Sequence, residues 1–97
     1  MLREVMILRT HAIISGRVQG VGFRYTAKQK ADELGITGWI RNNEDGTVEL
    51  DAEGDPDQVD QFIQALKNGL TPVIRVEQID QTSTHKNYGY RNFSIKS

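Results

Sequence analysis

The chain contains no cysteine, so disulfides, thiolate nucleophiles and cysteine-ligated metals are excluded from its chemistry. A reducing compartment is compatible with that. Nor is there an excess of either charge. Twelve Lys and Arg stand against thirteen Asp and Glu, a formal net charge of −1, with no basic tail and no long run of one sign. Bulk attraction to nucleic acid or to an acidic membrane surface is therefore not expected, and any anion site must be local. Long hydrophobic runs are missing as well. The opening residues hold only the short apolar run Val5 to Leu8, too little for a secretory core, and no later stretch is long enough to span a bilayer. There is no low-complexity segment and no usable internal repeat. At 97 residues the expectation is one soluble, cytoplasmic domain spanning 1–97, with a single modest core that any active site must share.

What the chain does have is glycine in an informative place. Residues 14 to 24, Ile-Ser-Gly-Arg-Val-Gln-Gly-Val-Gly-Phe-Arg, put three glycines and an arginine where an apolar strand gives way to a helical pattern. Glycine lets the backbone take positive φ and approach a ligand closely, so successive N–H groups can point into one concavity beside the positive end of a helix. A guanidinium on that first turn, Arg24, can grip two oxygens of one phosphate. Nucleotide motifs do not fit. Tyr25 occupies the third glycine position of the dinucleotide fingerprint, and no Gly-Lys-Ser/Thr follows to make a Walker loop.

The periodicity around this segment sets the element order. Val5 to Ser15 is rich in aliphatic residues and reads as a largely buried first strand. From about Val21 the period changes: Phe23, Ala27, Ala31 and Leu34 recur at helical spacing and Gly35 follows as a C-terminal cap. Ile36 to Asn43 and then Val48, Leu50 and Ala52 alternate on either side of the turn signal Glu44-Asp45-Gly46, which predicts an antiparallel hairpin. Asp55 caps a second helix with Pro56 in its first turn, Val59, Phe62, Ile63 and Leu66 form its apolar stripe, and Asn68-Gly69 end it. Val73 to about Gln81 reads as a strand, Thr82 to Gly89 as a polar loop, and Tyr90 to Ile95 as a last short strand. The order β-α-β-β-α-β with a final strand predicts an α+β, ferredoxin-like plan: an antiparallel sheet with two helices on one face.

Two motifs in this frame resemble those of the acylphosphatase family. Gly16-Arg17-Val18-Gln19-Gly20-Val21-Gly22-Phe23-Arg24 is similar, nearly letter for letter, to its phosphate-binding pattern Gly-x-Val-Gln-Gly-Val-x-Phe-Arg. Gly38-Trp39-Ile40-Arg41-Asn42, followed by Gly46-Thr47-Val48 and later Gly54, resembles its second motif. Ile40 departs from the smaller residue usual there, a matter of core packing. The resemblance implies hydrolysis of small acyl phosphates to carboxylate and inorganic phosphate by water attack on phosphorus. It also implies Arg24 as the phosphate-binding arginine and Asn42 as the residue positioning the water. The substrate-binding set would be Gly16, Arg17, Val18, Gln19, Gly20, Val21 and Gly22 together with Arg24. No metal and no cofactor is expected. The partners are the acyl phosphate itself and inorganic phosphate as product or inhibitor, with no nucleic acid or membrane partner, and the chain is expected to act as a monomer.

Other features read blandly. Trp39 belongs to the core or to a half-buried sheet face, and His11 and His85 lack metal-ligand spacing. Asp51, Glu53, Asp55 and Asp57 loosely suggest a calcium loop, but Pro56 and Phe62 occupy positions needed for the turn glycine and the bidentate glutamate. They read as the solvent face of a strand followed by a helix cap. Asn92-Phe93-Ser94 matches a glycosylation triplet without other signs of secretion. Two further functions are to be weighed. One is a non-catalytic anion-binding or interaction module of the same fold. The other is a single-stranded RNA binder, against which the near-neutral charge and the absence of an aromatic-rich RNA-recognition strand both count.

Overall fold

A computed structural model describes residues 6–97. The elements follow the expected order: β1 (Leu8–Arg17), α1 (Phe23–Leu34), β2 (Thr37–Asn42), β3 (Val48–Gly54), α2 (Pro56–Lys67), β4 (Arg75–Thr84) and β5 (Phe93–Ile95). The five strands lie in the order β4-β1-β3-β2-β5. Pairing between the first four is antiparallel, but β5 runs parallel to β2, so the sheet is mixed rather than wholly antiparallel. Both helices pack on one face, α1 over β2 and β5, α2 over β1, β3 and β4, which is the ferredoxin-like arrangement. No helix among the described residues is long and apolar enough to cross a membrane.

Side-chain alternation explains the core. Ala12 and Ile14 of β1, Ile40 of β2, and Val48, Leu50 and Ala52 of β3 all point toward the helices and are buried. They meet Phe23, Ala27 and Ala31 from α1 and Val59, Phe62, Ile63 and Leu66 from α2. Phe62 and Phe93 meet edge to face at 5.7 Å between ring centroids, tying the last strand to α2. The second helix starts as its sequence dictates, with the Asp55 carboxylate accepting the Asp57 N–H at 3.0 Å and Pro56 in the first turn.

Several boundaries differ from the sequence expectation, β2 being Thr37–Asn42 rather than Ile36 to Asn43 and β4 beginning at Arg75 rather than Val73 among them. The first strand runs on to Arg17, carrying Gly16 into the sheet, while Val5, its expected start, lies outside the described residues. The fourth runs to Thr84, through residues read as loop, because the full length of β1 offers it partners down to Arg9↔Thr84. As an edge strand it is exposed along most of its length and needs no apolar alternation to persist. The last strand is confined to Phe93–Ile95, short of the expected Tyr90 start.

The outer face of the sheet corrects a second expectation. Asp51 and Glu53 do not face solvent; they are 2% and 3% exposed. The segment after β4 returns across this face, and its backbone N–H groups converge on Glu53, which accepts from Tyr88, from Gly89 at 3.1 Å and from Tyr90 at 3.3 Å. Asp51 accepts the Tyr90 hydroxyl at 2.7 Å and has His11 at 3.3 Å and Arg9 at 3.5 Å. Buried carboxylates persist when their oxygens are satisfied in this way. Burial, and next the hydrogen bond to Asp51, push the Tyr90 hydroxyl up to about 12. His11 also reaches Glu49 at 2.8 Å and stands edge-on to the half-buried Trp39. Burial alone would raise the Glu49 carboxyl, but the hydrogen bond and charge of Arg41, with His11 behind, outweigh it and hold the group below its ordinary value.

Candidate active site

The glycine segment leaves β1 and enters α1 through a chain of backbone conformations that its sequence makes accessible. Gly20 and Gly22 have φ of 74° and 77°, and no other atom lies within 4 Å of where their Cβ would stand. They are glycine for the backbone turn, not for want of room. Gly22 is the N-cap of α1, and no side chain caps the helix there. The first N–H groups of a helix have no carbonyl partner within it, so those of this first turn are available to an anion. Gly16 has a different reason to be glycine. It sits at a register shift between β1 and β4, and a Cβ there would meet the Arg75 carbonyl oxygen at 2.2 Å. Its place is the sheet, where it lets the two backbones close up.

Across from the segment, β2 ends at Asn42, whose cross-strand neighbour is Val48. The turn that follows is rigid. Asn43 N–H donates to the Thr47 carbonyl at 2.9 Å, and the Asp45 carboxylate accepts the Thr47 hydroxyl at 2.6 Å and its N–H at 3.0 Å. Those bonds, the hydroxyl's first, hold the Asp45 carboxyl below its ordinary value.

Between the two lies a cavity of about 180 Å³ lined by Val18, Gly20, Gly22, Phe23, Arg24, Tyr25 and Asn42. Of the residues expected at the site, five line it: Val18, Gly20, Gly22, Arg24 and Asn42. Gly16, Arg17, Gln19 and Val21 do not. Arg17 is exposed at the end of β1, and Val21 packs partly against the core. Gln19 turns its carboxamide away to the neighbouring hairpin, a contact between distant segments that no local pattern announces. Tyr25, which enters the sequence reading only as a misfit to a nucleotide motif, also lines the cavity and is 72% exposed.

The electrostatics of this cavity are one-sided. Arg24 is its only charged lining residue, and among the described residues no carboxylate lies within salt-bridge distance of it. Asn42 Oδ1 is buried without a hydrogen-bond partner, an arrangement that is unfavourable unless a donor arrives. A guanidinium and free helix N–H groups therefore face an amide oxygen lacking a donor. An anion satisfies the first set and a water the second. A larger groove of about 530 Å³ lies elsewhere, between α1 and the turn after α2. Its lysine, Lys30, is already paired with Glu33 at 3.2 Å. Size favours the groove, which also holds a buried hydroxyl without a partner, Thr71 Oγ1; what sets the smaller cavity apart is the Arg24 guanidinium, unpaired among the described residues. No group of three or more His, Cys, Asp or Glu suited to a metal occurs among the described residues.

The chain is similar to known proteins over most of its length. The family model described as acylphosphatase matches residues 10–95. The acylphosphatase of Bacillus velezensis is 43% identical over 89 residues, 92% of this chain and 98% of that protein. The crystal structure of acylphosphatase from Bacillus subtilis aligns with a TM-score of 0.89 at 41% identity, covering 93% of this chain and 99% of that one. Full-length HypF in a phosphate- and nucleotide-bound form aligns at 0.88 and 25% identity, covering 98% of this chain but only 12% of its own. With the matched region spanning both motifs and running from within β1 to the end of β5, the chain belongs to the acylphosphatase family.

Proposed function

We propose that the cavity between Arg24 and Asn42 is the site at which this acylphosphatase hydrolyses the carboxyl–phosphate bond of small acyl phosphates. The observation that carries the assignment is the pairing, in one small cavity, of an arginine without a carboxylate partner among the described residues and an asparagine whose buried Oδ1 lacks a hydrogen-bond donor. In this reading the backbone N–H groups of the glycine segment and the Arg24 guanidinium hold the non-bridging phosphoryl oxygens. Asn42 Oδ1 accepts a hydrogen bond from water on the far side of phosphorus from the acyl oxygen. The water oxygen bonds to phosphorus as the bond from phosphorus to the acyl oxygen breaks. The acyl oxygen leaves as carboxylate, and inorganic phosphate is the other product.

Among the described residues, no carboxylate and no histidine lines the cavity. The proton from water accordingly passes to a phosphoryl oxygen of the substrate, and no protein nucleophile takes part. A carboxylate is a good leaving group, so positioning and charge stabilisation supply what the reaction needs, and no step calls for a metal or cofactor. The enzyme is taken to act as a monomer, and the cysteine-free sequence is compatible with a cytoplasmic setting.

The test is to offer purified protein a simple acyl phosphate and a phosphate monoester, each with and without EDTA. Acyl phosphate is expected to be consumed at the same rate with chelator, inhibited by inorganic phosphate, while the monoester is left intact. Loss of activity with EDTA, or equal turnover of the monoester, would contradict the mechanism.

A further inference from the structure

Gln19 lies within the glycine segment but does not line the cavity, and its side chain crosses to the hairpin that carries Asn42. Its Nε2 donates to the Asn43 carbonyl at 2.8 Å and to the Thr47 carbonyl at 2.9 Å, so both amide hydrogens are used. Asn43 directly follows Asn42, and Thr47 directly precedes Val48, the cross-strand neighbour of Asn42. The two carbonyls therefore flank the neck of the hairpin, where Asn43 N–H already closes on the Thr47 carbonyl. Among the described residues, no other hydrogen bond joins residues 18–22 to this turn. The contacts span 24 and 28 residues of sequence. Their partners are backbone atoms, so only the residue at position 19 decides whether the link exists.

We propose that Gln19 is a positioning residue that fixes the Asn42 amide relative to the Arg24 phosphate cradle. The inference rests on the functional reading of the cavity given above. In-line attack requires the water and the phosphorus in one geometry, and a misplacement of about 1 Å costs about a hundredfold in rate. The cradle would still bind phosphate with the link cut, since the N–H groups and Arg24 belong to the other side. The water would lose its fixed distance.

Gln19→Met keeps the length of the side chain and removes both donors. It is expected to lower kcat by about ten- to a hundredfold while leaving the inhibition constant for inorganic phosphate within about threefold. In an Asn42→Ala background the same substitution is expected to lower kcat by less than about twofold, because the group being positioned is gone. Gln19→Glu adds a pH signature. Ionised, it presents only oxygens to the two carbonyls; protonated, it donates to one of them, so its activity relative to the unmutated protein should rise as the pH is lowered.

Equal losses of kcat in both backgrounds, or a lower melting temperature with kcat unchanged, would overturn the proposal and leave Gln19 a structural brace. If Gln19→Met does not fold, Gln19→Glu assayed across pH decides alone, and a flat ratio overturns the idea. Should Asn42→Ala itself retain kcat, the functional reading fails. Should it lose kcat while Gln19→Met does not, only the positioning role fails.

Discussion

Arg24→Ala is expected to lower kcat/KM for an acyl phosphate by about a thousandfold or more, equivalent to about 4 kcal/mol of transition-state stabilisation, and to abolish inhibition by inorganic phosphate. The physical reason is that Arg24 is the only charged residue lining the cavity among the described residues. On the proposed mechanism its planar fork addresses two phosphoryl oxygens at once, and charge redistributes over those oxygens as the phosphoryl group transfers. Steady-state kinetics with phosphate as a competitor measure both effects. Stability should barely change, within about 0.5 kcal/mol, since the half-buried side chain has no carboxylate partner among the described residues to lose. Arg24→Lys keeps the charge without the fork and should fall between the two. A fully active Arg24→Ala protein would move the phosphate site elsewhere.

Asn42→Ala should behave differently, and the contrast is the informative part. We expect kcat to fall by about a hundredfold while the inhibition constant for inorganic phosphate stays within about twofold. On the proposed mechanism Asn42 holds water, and phosphate held by the cradle does not need it. The hairpin itself should survive, because its turn is closed by Asn43, Asp45 and Thr47 and tied down by Gln19. A variant that lost phosphate inhibition and kept kcat would reverse the two roles. Thermal unfolding beside the kinetics separates a loss of function from a loss of fold.

Much of the architecture was legible because each element carries its period and its punctuation. The alternation of Val48, Leu50 and Ala52 and the Asp55-Pro56 start of α2 are local signals that the fold has no reason to override. What escaped the sequence was set at a distance. Asp51 and Glu53 occupy the non-core face, as alternation requires, yet nothing in β3 reveals that residues 88–90 will cover them. The continuation of β4 to Thr84 depends on β1 having free edge to offer, and the parallel pairing of β5 depends on the path taken across that face.

The candidate site divides in the same way. The motifs brought Arg24, Asn42, Gly20 and Gly22 to one cavity, since strand end, turn and helix start are consecutive in sequence and β2 is a sheet neighbour of β3. They did not separate the glycines by purpose. Gly16 is compelled by the Arg75 carbonyl, whereas Gly20 and Gly22 have open space around them and serve the turn. Nor did they show that the Gln19 side chain leaves the phosphate cradle for the hairpin, which follows only from the register of β2 and β3.

The central claim is that a phosphoryl group sits against the glycine segment with Asn42 opposite. Titration of inorganic phosphate into ¹⁵N-labelled protein, followed by amide chemical shifts, tests this most directly. Saturable shifts are expected, concentrated in the backbone N–H groups from Val18 to Tyr25, with a smaller response at the Asn42 side-chain amide. Shifts confined to the groove lined by Lys30, Leu70 and Thr71, or spread over the surface without saturation, would contradict it.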